Sequence, residues 1–154
     1  MNINIKRLDS VAKLPSRGSS CAAGYDLYSV NVKEIDIAPH STVKIGTGLA
    51  MEIPDGYFGA IFARSGLATK KGLRPANCVG VIDSDYRGEW IAHIAYDEQG
   101  ENYYGEEHLF KRGDRIIQCL VVPINQESLD IVDYLDTTER GEGGFGSTNE
   151  NTIV

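Results

Sequence analysis

The chain has 154 residues, enough for one domain with a sizeable core, and its 42% hydrophobic and 24% charged content suits an ordinary globule. A formal net charge of -7 argues against nucleic acid or a membrane surface as partner, because the global field repels polyanions. A small anionic ligand stays compatible, since a few basic groups and backbone N–H groups act locally.

In chain order, the dominant pattern has period two. Ile3 and Ile5 alternate with polar residues in NINIK; Val43, Ile45 and Thr47 alternate in TVKIGTG, and Met51 and Ile53 continue the pattern. These stretches predict half-buried strands. SGLATKKG (65–72) is the one candidate helix, one or two turns ending at Gly72. Trp90, Ala92, Ile94 and Tyr96 alternate in WIAHIAY, while RIIQCLVVPI (115–124) is continuously apolar and predicts a strand buried on both faces. Turn signals fall between them at APHS, PDGY, RGE and KRGD. DEQGENYYGEEH (97–108), with five acids and no Lys or Arg, predicts a solvated hairpin tip. From about residue 137 the chain is expected to leave the core as an arm. Many short strands without a repeat predict an all-β sandwich or barrel.

Other sequence features are mostly negative. MNINIKRLDS lacks the basic and apolar regions of a signal peptide, and no run approaches the ~20 apolar residues that span a bilayer, so a cytoplasmic setting is expected. Cys21, Cys78 and Cys119 are far apart with no CxxC, which predicts reduced, mostly buried thiols and no zinc site. His40, His93 and His108 are scattered and read as surface or structural residues.

Five clusters carry chemistry. In AGYDLYS (23–29), Asp26 either caps local N–H groups or orients a cation or metal-bound waters. In ARSGLA (63–68), Arg64 is able to fork onto phosphate, and Ser65 and Gly66 open the short helix. The plain alternative is a strand-to-helix junction with a Ser N-cap. NCVGVIDSDYRGEW (77–90) reads as a hairpin, and an acid following VGVI stands at the edge of buried structure, where it would suit a general base for water. Of Asp83 and Asp85, one is expected to look into a given pocket. In KRGDRIIQ (111–118), Asp114 and Arg115 read as a structural pair or cap. Gln118, inside an apolar strand, either braces a loop or faces a ligand. RGEGGFGST (140–148) offers glycines for close backbone approach, Arg140 for charge, Ser147 and Thr148 as donors and Phe145 for stacking on a base. It lacks the lysine of GxxxxGK[ST].

Taken together, in order over residues 23–148, these five clusters resemble the motifs of the trimeric dUTP pyrophosphatases (dUTPases). GVIDSDYRG and RGEGGFGST are the specific ones. The related dCTP deaminases use a glutamate where this chain has Asp83. The resemblance implies a jelly-roll-like β-barrel over residues 1–137, assembled as a homotrimer, with an arm (138–154) that closes over a neighbouring subunit's site. It implies hydrolysis of dUTP to dUMP and pyrophosphate, which keeps uracil out of DNA and supplies dUMP for dTMP synthesis. Asp83 would activate the water attacking the α-phosphorus, and Gln118 would position the α-phosphate or the water. Arg64, Ser65 and Gly66 would hold phosphates, with Mg²⁺ reached by Asp26 through water. Asn77 and the backbone near Gly80 would read uracil, and Tyr86 would exclude a ribose 2′-hydroxyl. Arg140, Phe145, Gly146, Ser147 and Thr148 would form the lid.

Three departures stand out: Ala63 where the second motif usually begins with proline, Asn149 where the last usually continues with glycine, and the long acidic stretch 97–108. That stretch is read as decoration in preference to a protein-binding insert. Use of dCTP or dUDP, and a dUTP-sensing regulatory role, are the competing readings.

Overall fold

The computed structural model describes residues 2–31, 33–97 and 108–144. Eleven strands and one helix follow in order: β1 (Asn4–Arg7), β2 (Tyr25–Tyr28), β3 (Ile35–Ile37), β4 (Thr42–Gly46), β5 (Leu49–Glu52), β6 (Tyr57–Phe62), α1 (Ser65–Lys71), β7 (Leu73–Pro75), β8 (Gly80–Ile82), β9 (Ile91–Tyr96), β10 (His108–Phe110) and β11 (Arg115–Pro123). Among the described residues the fold is all-β apart from α1. A four-stranded sheet runs β2-β11-β6-β8, a three-stranded sheet runs β4-β9-β7, and β1-β5 and β10-β3 form two-stranded ribbons. Every ladder is antiparallel.

The alternation in β9 is realised as read. Trp90, Ala92, Ile94 and Tyr96 are buried, while Ile91 and His93 face out; the alternation stops at Ala95, which is buried as well. Trp90, Ala92, Ile94 and Tyr96 join Leu27, Ile45, Ile53, Leu73, Phe110 and Ile116 in one continuous core. β1 departs from the expectation. It pairs with β5 alone and lies at an edge, so Ile5 stays exposed and only Ile3 packs partly on the core.

β11 is buried on both sides only in its first half. It lies between β2 and β6, but Leu120, Val121 and Val122 are half-exposed. The successive burial of Ile116 and Ile117 has a local cause. The register with β2 shifts between Arg115 and Ile117, so Ile116 is an extra residue opposite the Leu27–Tyr28 step. Such a bulge re-aims its neighbours.

The helix ends where expected: Gly72 takes φ 66° and its N–H returns to the Ala68 carbonyl, the left-handed stop that a Cβ disfavours. Its start differs. Arg64, still extended, is the N-cap residue and makes no side-chain cap, so Ser65 is the first helical residue and not the cap.

The hairpin expected over 77–90 is not one. β8 pairs with β6 and β9 pairs with β4 and β7, so 77–90 is a crossing between sheets with no ladder joining its arms. β9 and β10 belong to different sheets, and the hairpin tip expected over 97–108 falls on 98–107, outside the described residues. Beyond Pro123 the described chain forms no strand or helix and is exposed from Pro123 to Glu142.

Candidate functional site

Three elements bring four polar side chains together. Asp26 on β2 stands opposite Gln118 on β11, and Gln118 stands opposite Phe62 at the end of β6. The chain then continues from Phe62 through Ala63 to Arg64. Arg64 Nε donates to Asp26 Oδ1 at 2.9 Å, Arg115 Nη1 donates to Asp26 Oδ2 at 3.1 Å, and Arg64 Nη1 donates to the Arg115 carbonyl at 3.3 Å. The carboxylate is 13% exposed. It therefore acts as a buried brace that sets two guanidinium groups side by side.

Gln118 does brace a loop: its Nε2 donates to the Ala63 carbonyl at 2.7 Å. It also lines the cavity that Asp26, Arg64 and Arg115 share, an open hollow of about 750 Å³ bounded further by Gly24 and Cys78. Two arginines face one carboxylate there, so the hollow favours anions although the chain is acidic. Ser65 and Gly66, exposed, follow Arg64 at the helix start, where the first N–H groups have no intrahelical acceptor. A second hollow of about 500 Å³, walled by Ile3, Leu27, Met51 and Trp90, holds no comparable cluster.

Asp26 fits a magnesium ion held through water. Each of its oxygens accepts one arginine N–H and keeps a lone pair for a water molecule, and Mg²⁺ usually retains several waters. Direct coordination is not supported: among the described residues no three His, Cys, Asp or Glu side chains converge.

The crossing segment 77–90 reaches the hollow around Asp26 only at Cys78. Asn77 is exposed beside Gly80, which is buried so tightly on Ile61 that a Cβ would stand 3.0 Å from the Ile61 Cβ. β8 ends at Ile82, so Asp83 and Asp85 lie in a turn and strand alternation does not orient them. Both are exposed. Tyr86 closes the turn, its N–H on the Asp83 carbonyl and its hydroxyl donating to the Glu89 carbonyl at 3.1 Å. Asn77, Asp83 and Tyr86 are not among the residues lining the hollow that holds Asp26 and Arg64.

At the start of the arm, Arg140 is exposed and its Nε donates to the Gly143 carbonyl at 2.8 Å, while Gly141 N–H returns to Thr138. Phe145, Gly146, Ser147 and Thr148, with Asn149, lie outside the described residues.

Arg115 was read differently from the sequence. Asp114 does cap a turn, accepting the Lys111 N–H at 2.8 Å, but Arg115 pairs with Asp26 and not with Asp114. No local signal marks this partner, because it depends on the pairing of β11 with β2 and on the bulge between Arg115 and Ile117. The thiols are not mostly buried; Cys21 and Cys78 are exposed and Cys119 alone is buried, which pushes its pKa up to about 12. Burial, and secondarily Lys71, lowers the pKa of His108 on β10.

A family model described as dUTPase matches residues 10–149. Deoxyuridine 5'-triphosphate nucleotidohydrolase of Desulfitobacterium hafniense (strain DSM 10664 / DCB-2) is 49% identical over 143 residues, covering 92% of this chain and 91% of its own. Among solved structures, a mutant dUTPase of Staphylococcus bacteriophage 80alpha with the dUTP analogue dUpNHpp superimposes with a TM-score of 0.80. It is 30% identical over 96% of this chain and 98% of that one. A mutant dUTPase from phage phi11 of S. aureus, which coordinates a structural Mg(II) ion, gives a TM-score of 0.75 at 26% identity, covering 89% of this chain and 100% of that one.

Proposed function

The chain belongs to the dUTPase family and hydrolyses dUTP, and we propose that it does so at a Mg²⁺-assisted site composed from neighbouring subunits of a homotrimer. The observation that carries this reading is the separation of the motifs within one chain. Asp26, Arg64, Arg115 and Gln118 share a hollow, whereas Asp83 and Tyr86 line a different surface. A neighbour's 77–86 segment would complete the hollow. The apolar side chains of Leu129, Ile131, Tyr134 and Leu135, each at least 84% exposed in the single chain, support an assembly that covers them.

Each residue then has a task. Arg64 has N–H groups beyond those spent on Asp26 and Arg115, and with the Ser65 and Gly66 N–H groups it holds the triphosphate. Gln118 commits one N–H to Ala63, leaving the other for an α-phosphate oxygen and its Oε1 for the attacking water. Bound Mg²⁺ supplies charge neutralisation on the phosphate oxygens, with Asp26 holding its water shell. Asp83 takes a proton from the water as its oxygen attacks the α-phosphorus and pyrophosphate leaves. Asn77 and the backbone at Gly80 pair with the uracil edge, and Tyr86 packs on the sugar where a 2′-hydroxyl would clash. Residues 138–154 form the lid, with Arg140, Ser147 and Thr148 on the phosphates, the Gly146 backbone beside them and Phe145 on the base. Glycine-rich lids lose entropy on ordering, which the triphosphate contacts offset.

The products fit a role in keeping uracil out of DNA and supplying dUMP for dTMP synthesis. Among the described residues no helix is long and apolar enough to cross a membrane; a cytoplasmic site of action, or a nuclear or host-cell one, belongs to this proposal. Pyrophosphate release with Mg²⁺ from dUTP, dCTP, dTTP and UTP tests it. Release from dUTP alone is expected. Release from UTP would overturn the Tyr86 assignment, and release from dCTP the assignment of Asn77.

A further inference from the structure

We infer that Arg74 is a positioning residue for base recognition: clamped by Asp97, its guanidinium holds the backbone of loop 75–78 in the shape that presents Asn77. The inference rests on the reading of Asn77 as the uracil-pairing amide and names what sets its geometry.

Arg74 lies in β7, an edge strand paired with β9 and packed beside α1 and β6. Its Nε and Nη2 donate to the two carboxylate oxygens of Asp97 at 2.5 and 3.1 Å. That fork fixes the plane and direction of the guanidinium. Nη1, the nitrogen left over, donates into the loop: to the Pro75 carbonyl at 3.2 Å, to the Ala76 carbonyl at 3.5 Å and to Cys78 Sγ at 3.8 Å. Asp97 is itself anchored, its N–H on the Gly72 carbonyl at 2.8 Å. One planar group thus ties the end of β9 to three positions around Asn77.

The loop needs such a tie. Cys78 has φ 62°, a left-handed conformation that a residue with a Cβ disfavours. Its internal bonds, Cys78 N–H to Pro75 and Val79 N–H to Asn77, are local, and Ala76 N–H to the His93 carbonyl is its backbone link to β9. Asn77 is exposed and among the described residues no side-chain bond steers it, so the backbone beneath it sets where its Cα–Cβ bond points and hence where the amide is offered. An amide that distinguishes uracil from cytosine must hold donor and acceptor in fixed places.

A purely stabilising role fits poorly. The side chains of Arg74 and Asp97 are 37% and 40% exposed, and ion pairs that exposed contribute little to stability. What the pair supplies is orientation, and a lysine, with a single point of charge, would not span Asp97 and the loop carbonyls together.

The test compares the full-length wild type with Arg74→Ala, Arg74→Lys and Asn77→Ala. Affinities for dUMP and for inorganic pyrophosphate are measured by calorimetry, and kcat and KM for dUTP and dCTP by pyrophosphate release. Both Arg74 variants are expected to weaken dUMP about tenfold, with a higher KM for dUTP and a dUTP-over-dCTP preference narrowed by a similar factor. Pyrophosphate affinity is expected to stay within about twofold, because the loop meets the phosphate cradle only at Cys78, and none of the cradle's charged or amide groups is bonded to Arg74. Equal weakening of dUMP and pyrophosphate would reduce Arg74 to a general structural residue and overturn the inference. So would dUMP affinity and base preference both unchanged. If Arg74→Ala fails to fold, Arg74→Lys decides, since it keeps the charge and loses the fork. A loss in Asn77→Ala with none in the Arg74 variants overturns the role of Arg74 alone. No loss in any of the three overturns the base-reading assignment and this inference with it.

Discussion

The cradle around Asp26 and the turn around Asp83 are built on opposite plans. Asp26, Arg64, Arg115 and Gln118 come from distant stretches of the chain, yet Asp26, Arg64 and Arg115 are bonded to one another and Gln118 to the Ala63 carbonyl next to Arg64. Asp83 and Tyr86 come from one short stretch; Asp83 is exposed, and Tyr86 bonds within its own turn. The difference follows from the tasks proposed for them. Holding a triphosphate asks for fixed charges, so the cradle is wired into the sheets and its function is coupled to stability. Moving a proton asks for a carboxylate free of partners until substrate arrives, so the turn is decoupled from stability.

The sharpest way to break this contrast is Asp83→Asn. Turnover should fall roughly 10²–10⁴-fold while dUTP binding persists and the melting midpoint stays within about 2 °C. Unchanged turnover would remove Asp83 from the mechanism, and a large drop in midpoint would erase the contrast. Removing residues 138–154 comes next: a folded oligomer is expected by light scattering, with hydrolysis reduced on the order of 10²-fold. A truncated chain that fails to fold would make the arm structural. Asp26→Asn should affect both properties, weakening pyrophosphate binding and lowering unfolding free energy by about 1–3 kcal/mol, since charged hydrogen bonds to two arginines are lost. Urea titration measures it, and a loss of activity with full stability would show that the wiring is not structural.

Smaller effects sharpen the picture around α1 and β11. His108 has its pKa lowered below 6.5, chiefly by burial and then by Lys71, so the folded state favours the neutral ring. Its contribution is present above about pH 6.5 and is lost as pH falls toward the lower folded value. Denaturation midpoints at pH 7.5 and 5.5 should differ less in His108→Gln than in the wild type. Of the three thiols, Cys21 and Cys78 should react with a thiol reagent in the native protein, and Cys119 only after unfolding.

Much of this was legible before folding, but unevenly. The strands at 42–46 and 91–96 announce themselves because one face is buried, and the end of α1 because glycine alone takes its left-handed stop without strain. The three-residue strands β3, β7, β8 and β10 are too short to show a period, and β7 ends in a proline that argues against a strand. The motif residues were legible as a set, yet Arg115 was read as a partner of its neighbour Asp114. Its actual partner depends on the bulge at Ile116, which changes where a strand-opening side chain points.

The sequence by itself determined the all-β character, the helix and its stop, and the family through its ordered motifs. These rest on periodicity, turn chemistry and residue type, which act within a few residues. The tertiary structure alone decided that Arg115 shares Asp26 with Arg64, that Asp97 clamps Arg74, and that Asp83 stands apart from the cradle in a single chain. Those pairings depend on which strands lie side by side and in what register, quantities set by the balance of the whole core that no local stretch encodes.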